Sequence, residues 1–205
     1  MPGVNEAITR EYFESLGFLV LQPHKHLVTA RSKRPEEEID FILVKPDASE
    51  EAPEDFVLTG RTLRNVGRAV VSVRGWHSDR VSPALLKLSP ELVRFAQEPA
   101  LRSVRKQIGE GPLFRILCLS DLPATAALRK GAQHVMREAG VDGVLLFPTM
   151  LRELIREIDK RKNYDKSDLL QTLRILKNYG LLRDEQLELF PNTRRRKSRA
   201  KAQEI

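Results

Sequence analysis

The order of the apolar runs constrains the fold most. One helical pattern leads into three β-rich runs, and single strands separated by helices follow. Asn5–Leu16 reads as a helix. Ile8, Tyr12 and Leu16 share a face, Asn5 is placed to cap it, and Gly17 suits a left-handed exit. Phe18–Leu21 reads as a strand stopped by Pro23, and Ile39–Val44 as a second ended by Lys45-Pro46. An acidic loop follows over residues 46–56, and Arg68–Arg74 reads as a third strand. Beyond it, Pro83–Leu88 reads as a helical turn, Ser89-Pro90-Glu91 as a helix start and Pro99–Ile108 as a helix. Phe114–Leu119 is a predicted strand, Thr125–Ala139 a helix ended by Gly140, and Gly143–Phe147 a strand. Met150–Lys160 and Asp168–Tyr179 are the last predicted helices. Ser167 caps the second, Gly180 closes it, and Leu169, Leu170, Leu173, Leu176 and Tyr179 form its inward stripe.

This order predicts an α/β chain with a mixed central sheet flanked by helices and a C-terminal helical extension. A regular βαβ dinucleotide fold is not expected, because no glycine-rich phosphate loop follows a strand. The expected divisions are a core over 1–148, a helical segment over 149–182 and a tail over 183–205.

With 205 residues, 41% of them apolar, the chain can bury one sizeable core. No run approaches the roughly 20 apolar residues of a membrane span, and the start Met1-Pro2-Gly3-Val4 predicts no signal peptide. Cys118 is the single cysteine, so no internal disulfide forms. Its apolar setting, Ile116-Leu117-Cys118-Leu119, predicts a buried inert thiol and a cytoplasmic protein. No feature fixes an oligomeric state.

The net charge of +7 is unevenly placed. Arg194, Arg195, Arg196, Lys197, Arg199 and Lys201 face only Glu204 in the last twelve residues, while the remainder carries 29 basic and 27 acidic side chains. A dense basic tail suits phosphate backbones through counterion release, so DNA is the expected partner. A solubilising end is the other reading.

Residues 1–120 carry a second pattern. Glu6 lies in the first helix, ahead of Gly17-Phe18-Leu19-Val20. Asp40 lies in Glu38-Ile39-Asp40-Phe41-Ile42, and the next strand is Ala69-Val70-Val71-Ser72-Val73-Arg74. This arrangement resembles the PD-(D/E)XK nuclease superfamily, with its restriction endonuclease-like fold. The resemblance implies a Mg²⁺-dependent deoxyribonuclease. In it an Asp and a Glu-x-Lys pair on adjacent strands hold the ion, which polarises the phosphate and activates water. Here Asp40 matches the Asp, Ser72 stands at the Glu position and Arg74 at the Lys position. Serine is a poor Mg²⁺ ligand, and arginine keeps the charge but is no base near neutral pH. Some family members have Ser-x-Lys and take the acid from the following helix. Glu91, with Asp79 as another candidate, fits that role. The candidate catalytic residues are therefore Asp40, Arg74, Glu91 and Glu6, and the candidate Mg²⁺ ligands are Asp40 and Glu91.

On the residues alone, structural readings stand beside these. Asp40 also fits a satisfied edge position, Glu6 a helix N-terminus, and Glu36-Glu37-Glu38 a solvated run. His24, His26, Trp76 and His77 lack the partners of a zinc set. Trp76 between Arg74 and Arg80 fits either base stacking or the core.

The sharpest short motif is Gln186-Leu187-Glu188-Leu189-Phe190. It resembles the pentapeptide by which bacterial polymerases and repair proteins dock on the β sliding clamp. Leu189 and Phe190 would fill an apolar pocket, Gln186 would fix register, and Leu187 would add area. The alternation also fits a final strand packed on the core. A basic run beside a docked peptide would lie near the encircled DNA and gain from effective concentration.

The expected function is a DNA-transaction protein in repair, replication or mobile-element biology. Its nuclease-like core, cutting or not, would be recruited to the clamp. The rivals are a non-enzymatic DNA- or protein-binding adaptor and a winged-helix-like reader. The reader would use Asp168–Tyr179 as recognition helix, with Gln171, Arg174, Lys177 and Asn178 outward.

Overall fold

A computed structural model of the chain describes residues 3–23, 38–48, 53–75 and 80–182. The chain runs α1 (Val4–Ser15), β1 (Leu19–Leu21), β2 (Phe41–Val44), β3 (Val57–Leu58), β4 (Arg68–Arg74), α2 (Pro83–Leu88), α3 (Glu98–Ile108), β5 (Phe114–Leu119), α4 (Ala126–Glu138), β6 (Gly143–Leu146), α5 (Phe147–Glu157) and α6 (Asp168–Asn178). Short 3-10 turns at Thr62–Asn65, Pro90–Leu92 and Arg94–Ala96 complete it.

All six strands form one mixed sheet in the order β1-β2-β4-β5-β6-β3. β1 and β4 flank β2 antiparallel, whereas β4, β5, β6 and β3 run parallel. The parallel joins need long crossovers, and α2 with α3, then α4, supply them. Each face of the sheet builds its own core. Phe41, Val71, Val73, Ile116 and Leu145 meet Tyr12, Phe13, Met150, Leu154 and Leu173 from α1, α5 and α6. Ile42, Val70, Leu117 and Val144 meet Leu86, Leu101, Val104 and Met136 from α2, α3 and α4. The mixed, doubly covered sheet is therefore as expected. No helix among the described residues is long and apolar enough to cross a membrane.

Several local expectations are corrected. Asn5 does not cap α1. Gly3 takes that place, and the Asn5 amide donates instead to the Gly75 carbonyl at 3.1 Å, fixing α1 to the end of β4. The Ser89-Pro90-Glu91 start yields one 3-10 turn, because Ser89 makes no side-chain cap. β3, directly after the acidic loop, pairs β6 through two residues and has too little pattern to be seen in the sequence. α5 starts at Phe147, directly on the strand end, with proline in its first turn. The stretch 149–182 packs on the α1 face of the sheet, since Met150, Leu154, Ile158 and Leu173 belong to that core.

α6 is capped by Ser167, as expected, through its hydroxyl and the Leu170 N–H. Tyr179 is exposed, however, and Lys177 is buried. The Lys177 ammonium donates to the carbonyls of Ile155, Arg156 and Ile158, closing the C-terminal end of α5. Arg174 donates to the Lys160 carbonyl, and Gln171 accepts from the Tyr164 N–H. Three of the four side chains assigned to a DNA-reading face are thus bonded within the fold.

Candidate functional site

The start of β2 meets the end of β4, because the two strands are antiparallel. Phe41 pairs Val71 as the last pair of the ladder, and Asp40 lies just before it against the same residue. Asp40 extends the ladder by donating its N–H to the Val71 carbonyl at 2.9 Å. Its Oδ2 accepts the Val73 N–H at 2.6 Å and lies 3.4 Å from Arg74 Nη1. Arg74 Nη2 is 2.6 Å from Glu38 Oε2, and Arg94 Nη2 is 3.0 Å from Glu38 Oε1. The centre is therefore a chain of alternating charge, Asp40–Arg74–Glu38–Arg94, with no net charge. The Glu38 side chain is only 8% exposed and that of Arg74 14%.

Two of these residues escaped the sequence reading. Glu38 is a buried bridge, not part of a solvated run. It lies two residues before Asp40, ahead of β2, where no strand period marks it. Arg94 carried no signal, because the 3-10 turns after α2 bring it from far along the chain. Ser72 is fully buried, and its hydroxyl has no hydrogen-bond partner among the described residues.

Asp40 and Arg74 thus converge, and Ser72 lies beside them. Glu91 does not join them. It is exposed on the Pro90–Leu92 turn and has no hydrogen-bond or ion-pair partner among the described residues. Glu6 accepts from the Gln22 amide at 3.0 Å, and Gln22 in turn accepts from Arg10 at 3.1 Å. That links α1 to the end of β1, a structural role. His24, His26, Glu36, Glu37, Trp76, His77 and Asp79 lie outside the described residues. So do the tail residues Gln186, Leu187, Leu189, Phe190, Arg194, Arg195, Arg196, Lys197, Arg199 and Lys201.

The chain matches no family model, no curated protein and no solved structure.

The described residues of this centre do not fit a Mg²⁺ ion. Asp40 spends its near oxygen on a backbone N–H and a guanidinium, Ser72 offers no carboxylate, and Glu38 is held between two cations. Among the described residues no three histidine, cysteine or acidic side chains group as a metal set. No step is derived through a metal here.

Cys118 lies on β5 beside Val73 and is fully buried. Burial first, and then the charge of Asp40, push its thiol far above the ordinary value of 9.0, while a hydrogen bond with Thr9 acts the other way. It is no nucleophile at neutral pH. Tyr12 is raised far above 10.0, first by burial and then by its hydrogen bond to Glu153. Both groups keep their protons in the folded chain, and the unfolded chain sheds them from 9.0 and 10.0 upward. Their contribution is thus full below pH 9 and lost as pH rises, by up to about 1.4 kcal/mol per pH unit for each group. Urea unfolding across the alkaline range is expected to show stability falling above about pH 9 and more steeply above about pH 10. Cys118→Ala should delay the onset to the tyrosine range. A flat profile through both ranges contradicts this account.

Proposed function

We propose that this chain is a DNA-transaction protein of repair, replication or mobile-element biology. Its core is restriction endonuclease-like and binds DNA without cutting it, and its C-terminal segment docks on the bacterial β sliding clamp. One observation carries the non-cutting part. Arg74, at the family's lysine position, is ion-paired to both Asp40 and Glu38, beside a serine where the second acid belongs. A metal or an attacking water would first have to displace that guanidinium.

The sheet supports the descent. A helix, the antiparallel β1-β2-β4 set, then helices and a parallel β5 follow the order the resemblance implies. Arg94, on the Arg94–Ala96 turn and 32% exposed at its side chain, is the more accessible cation of the centre and suits a phosphate contact. The clamp part rests on Gln186–Phe190 and the DNA part also on the basic run behind it.

The test incubates the full chain with Mg²⁺ or Mn²⁺ and linear, supercoiled and branched DNA, beside Asp40→Ala. Salt-dependent binding is expected from both, and cleavage from neither. Cleavage by the wild type that Asp40→Ala abolishes overturns the non-cutting core. Absence of DNA binding at low salt overturns the DNA reading.

A further inference from the structure

A concave site lies at the other end of β2. Asp40 precedes that strand and Lys45 follows it, about 16 Å along at ~3.3 Å per residue. There a cleft of about 560 Å³ opens between the end of α1, the turn after β3 and the last turn of α5. Lys45, Arg61, Arg64 and Arg156 line it, with Glu153 and Glu157. Among the described residues none of these three arginines has a carboxylate partner, in contrast to Arg74, Arg94, Arg105 and Arg115 elsewhere. Lys45 is held with its ammonium 5.2 Å from the centre of the Phe18 ring.

The acid at the floor is already engaged. Glu153 Oε2 accepts the Tyr12 hydroxyl at 2.6 Å and the Gly60 N–H at 3.0 Å. A Cβ on Gly60 would stand 2.7 Å from that same oxygen, so the approach needs glycine. The floor carboxylate is thus turned inward and hydrogen-bonded, and the rim cations outnumber Glu157. Concave walls concentrate such a field on an incoming anion.

We propose that this cleft binds phosphate groups of a nucleic-acid strand, as a contact separate from the Asp40–Arg74 centre. The inference rests on the DNA-binding reading and adds where a strand is held. Lys45 and Phe18 lie at one end of β2 and Asp40 just before the other, about 16 Å apart along the strand. The cleft therefore takes a different segment of strand from one that meets the centre.

The test measures binding of a short labelled duplex and its single strand by the full chain across a salt series. Three variants accompany the wild type: Arg61→Gln with Arg64→Gln, Arg156→Gln alone, and glutamine at the six basic tail positions. The arginines are exposed and unpartnered among the described residues, so melting temperatures are expected to stay unchanged. The double variant is expected to bind about tenfold more weakly, with a salt slope smaller by about two, and Arg156→Gln by about one. Wild-type affinity and slope in both cleft variants, with loss in the tail variant, overturn the cleft while leaving the DNA reading intact. Absence of binding by the wild type removes both. Inorganic pyrophosphate is titrated in parallel. Thermal stabilisation by it that needs Arg61 and Arg64, without any effect of these residues on DNA, assigns the cleft to a small phosphorylated ligand and overturns the strand.

Discussion

Glu38→Ala is expected to lower the free energy of unfolding by about 3–5 kcal/mol, the range for removing one member of a buried charge network. Glu38 bridges Arg74 and Arg94 through separate oxygens, at 2.6 and 3.0 Å. Alanine would leave the largely buried Arg74 guanidinium and the half-buried Arg94 without it. Arg74 would keep Asp40 at 3.4 Å, and Arg94 would lose its carboxylate. In a chain of this size the loss reads as a melting temperature lower by about 6–20 °C. Glu38→Gln keeps the shape and an acceptor oxygen, and should lose less. The measurement is thermal denaturation followed by circular dichroism. A shift of at most about 2 °C for Glu38→Ala would place the pair with solvent-exposed ion pairs, which contribute about 0–1 kcal/mol.

Replacing Leu189 and Phe190 together with alanine is expected to abolish capture by an immobilised bacterial β sliding clamp. Anchor side chains of this kind contribute about 2 kcal/mol or more each, so the pair amounts to roughly a thousandfold in Kd. Glutamine at the six basic tail positions should leave clamp capture without DNA nearly unchanged, and weaken it when the clamp is loaded on DNA. The two substitutions separate peptide docking from electrostatic assistance. Undiminished capture of the Leu189→Ala, Phe190→Ala chain would remove the clamp from the proposal.

The sheet was legible where strand residues are apolar and uninterrupted. Arg68–Arg74 and Phe114–Leu119 have the predicted bounds, because β-branched and aromatic runs buried on both faces leave little choice. β3 was not legible, since two residues make no period. Its partner Val144 specifies it from far along the chain. The charged centre divides the same way. Asp40 and Arg74 were readable because strand register brings local motifs together. Arg94 was not, because a 3-10 turn with no cap and no period sets its position. Lys177 was misread because an amphipathic stripe ranks side chains by polarity. A buried ammonium is stable where three carbonyls of another helix converge on it.

That ammonium has a mechanical side. A pull applied at the C-terminal end of α6 meets it first, because Lys177 sits in the last turn of that helix. To peel that helix, tension must strip the Lys177 bonds to Ile155, Arg156 and Ile158 together and draw Leu173 from its packing. Such a joint resists as a unit, whereas a frayed helix end yields one turn at a time. A drag on the end of α6 is therefore passed to α5 and the sheet, and the core moves with it instead of unravelling behind.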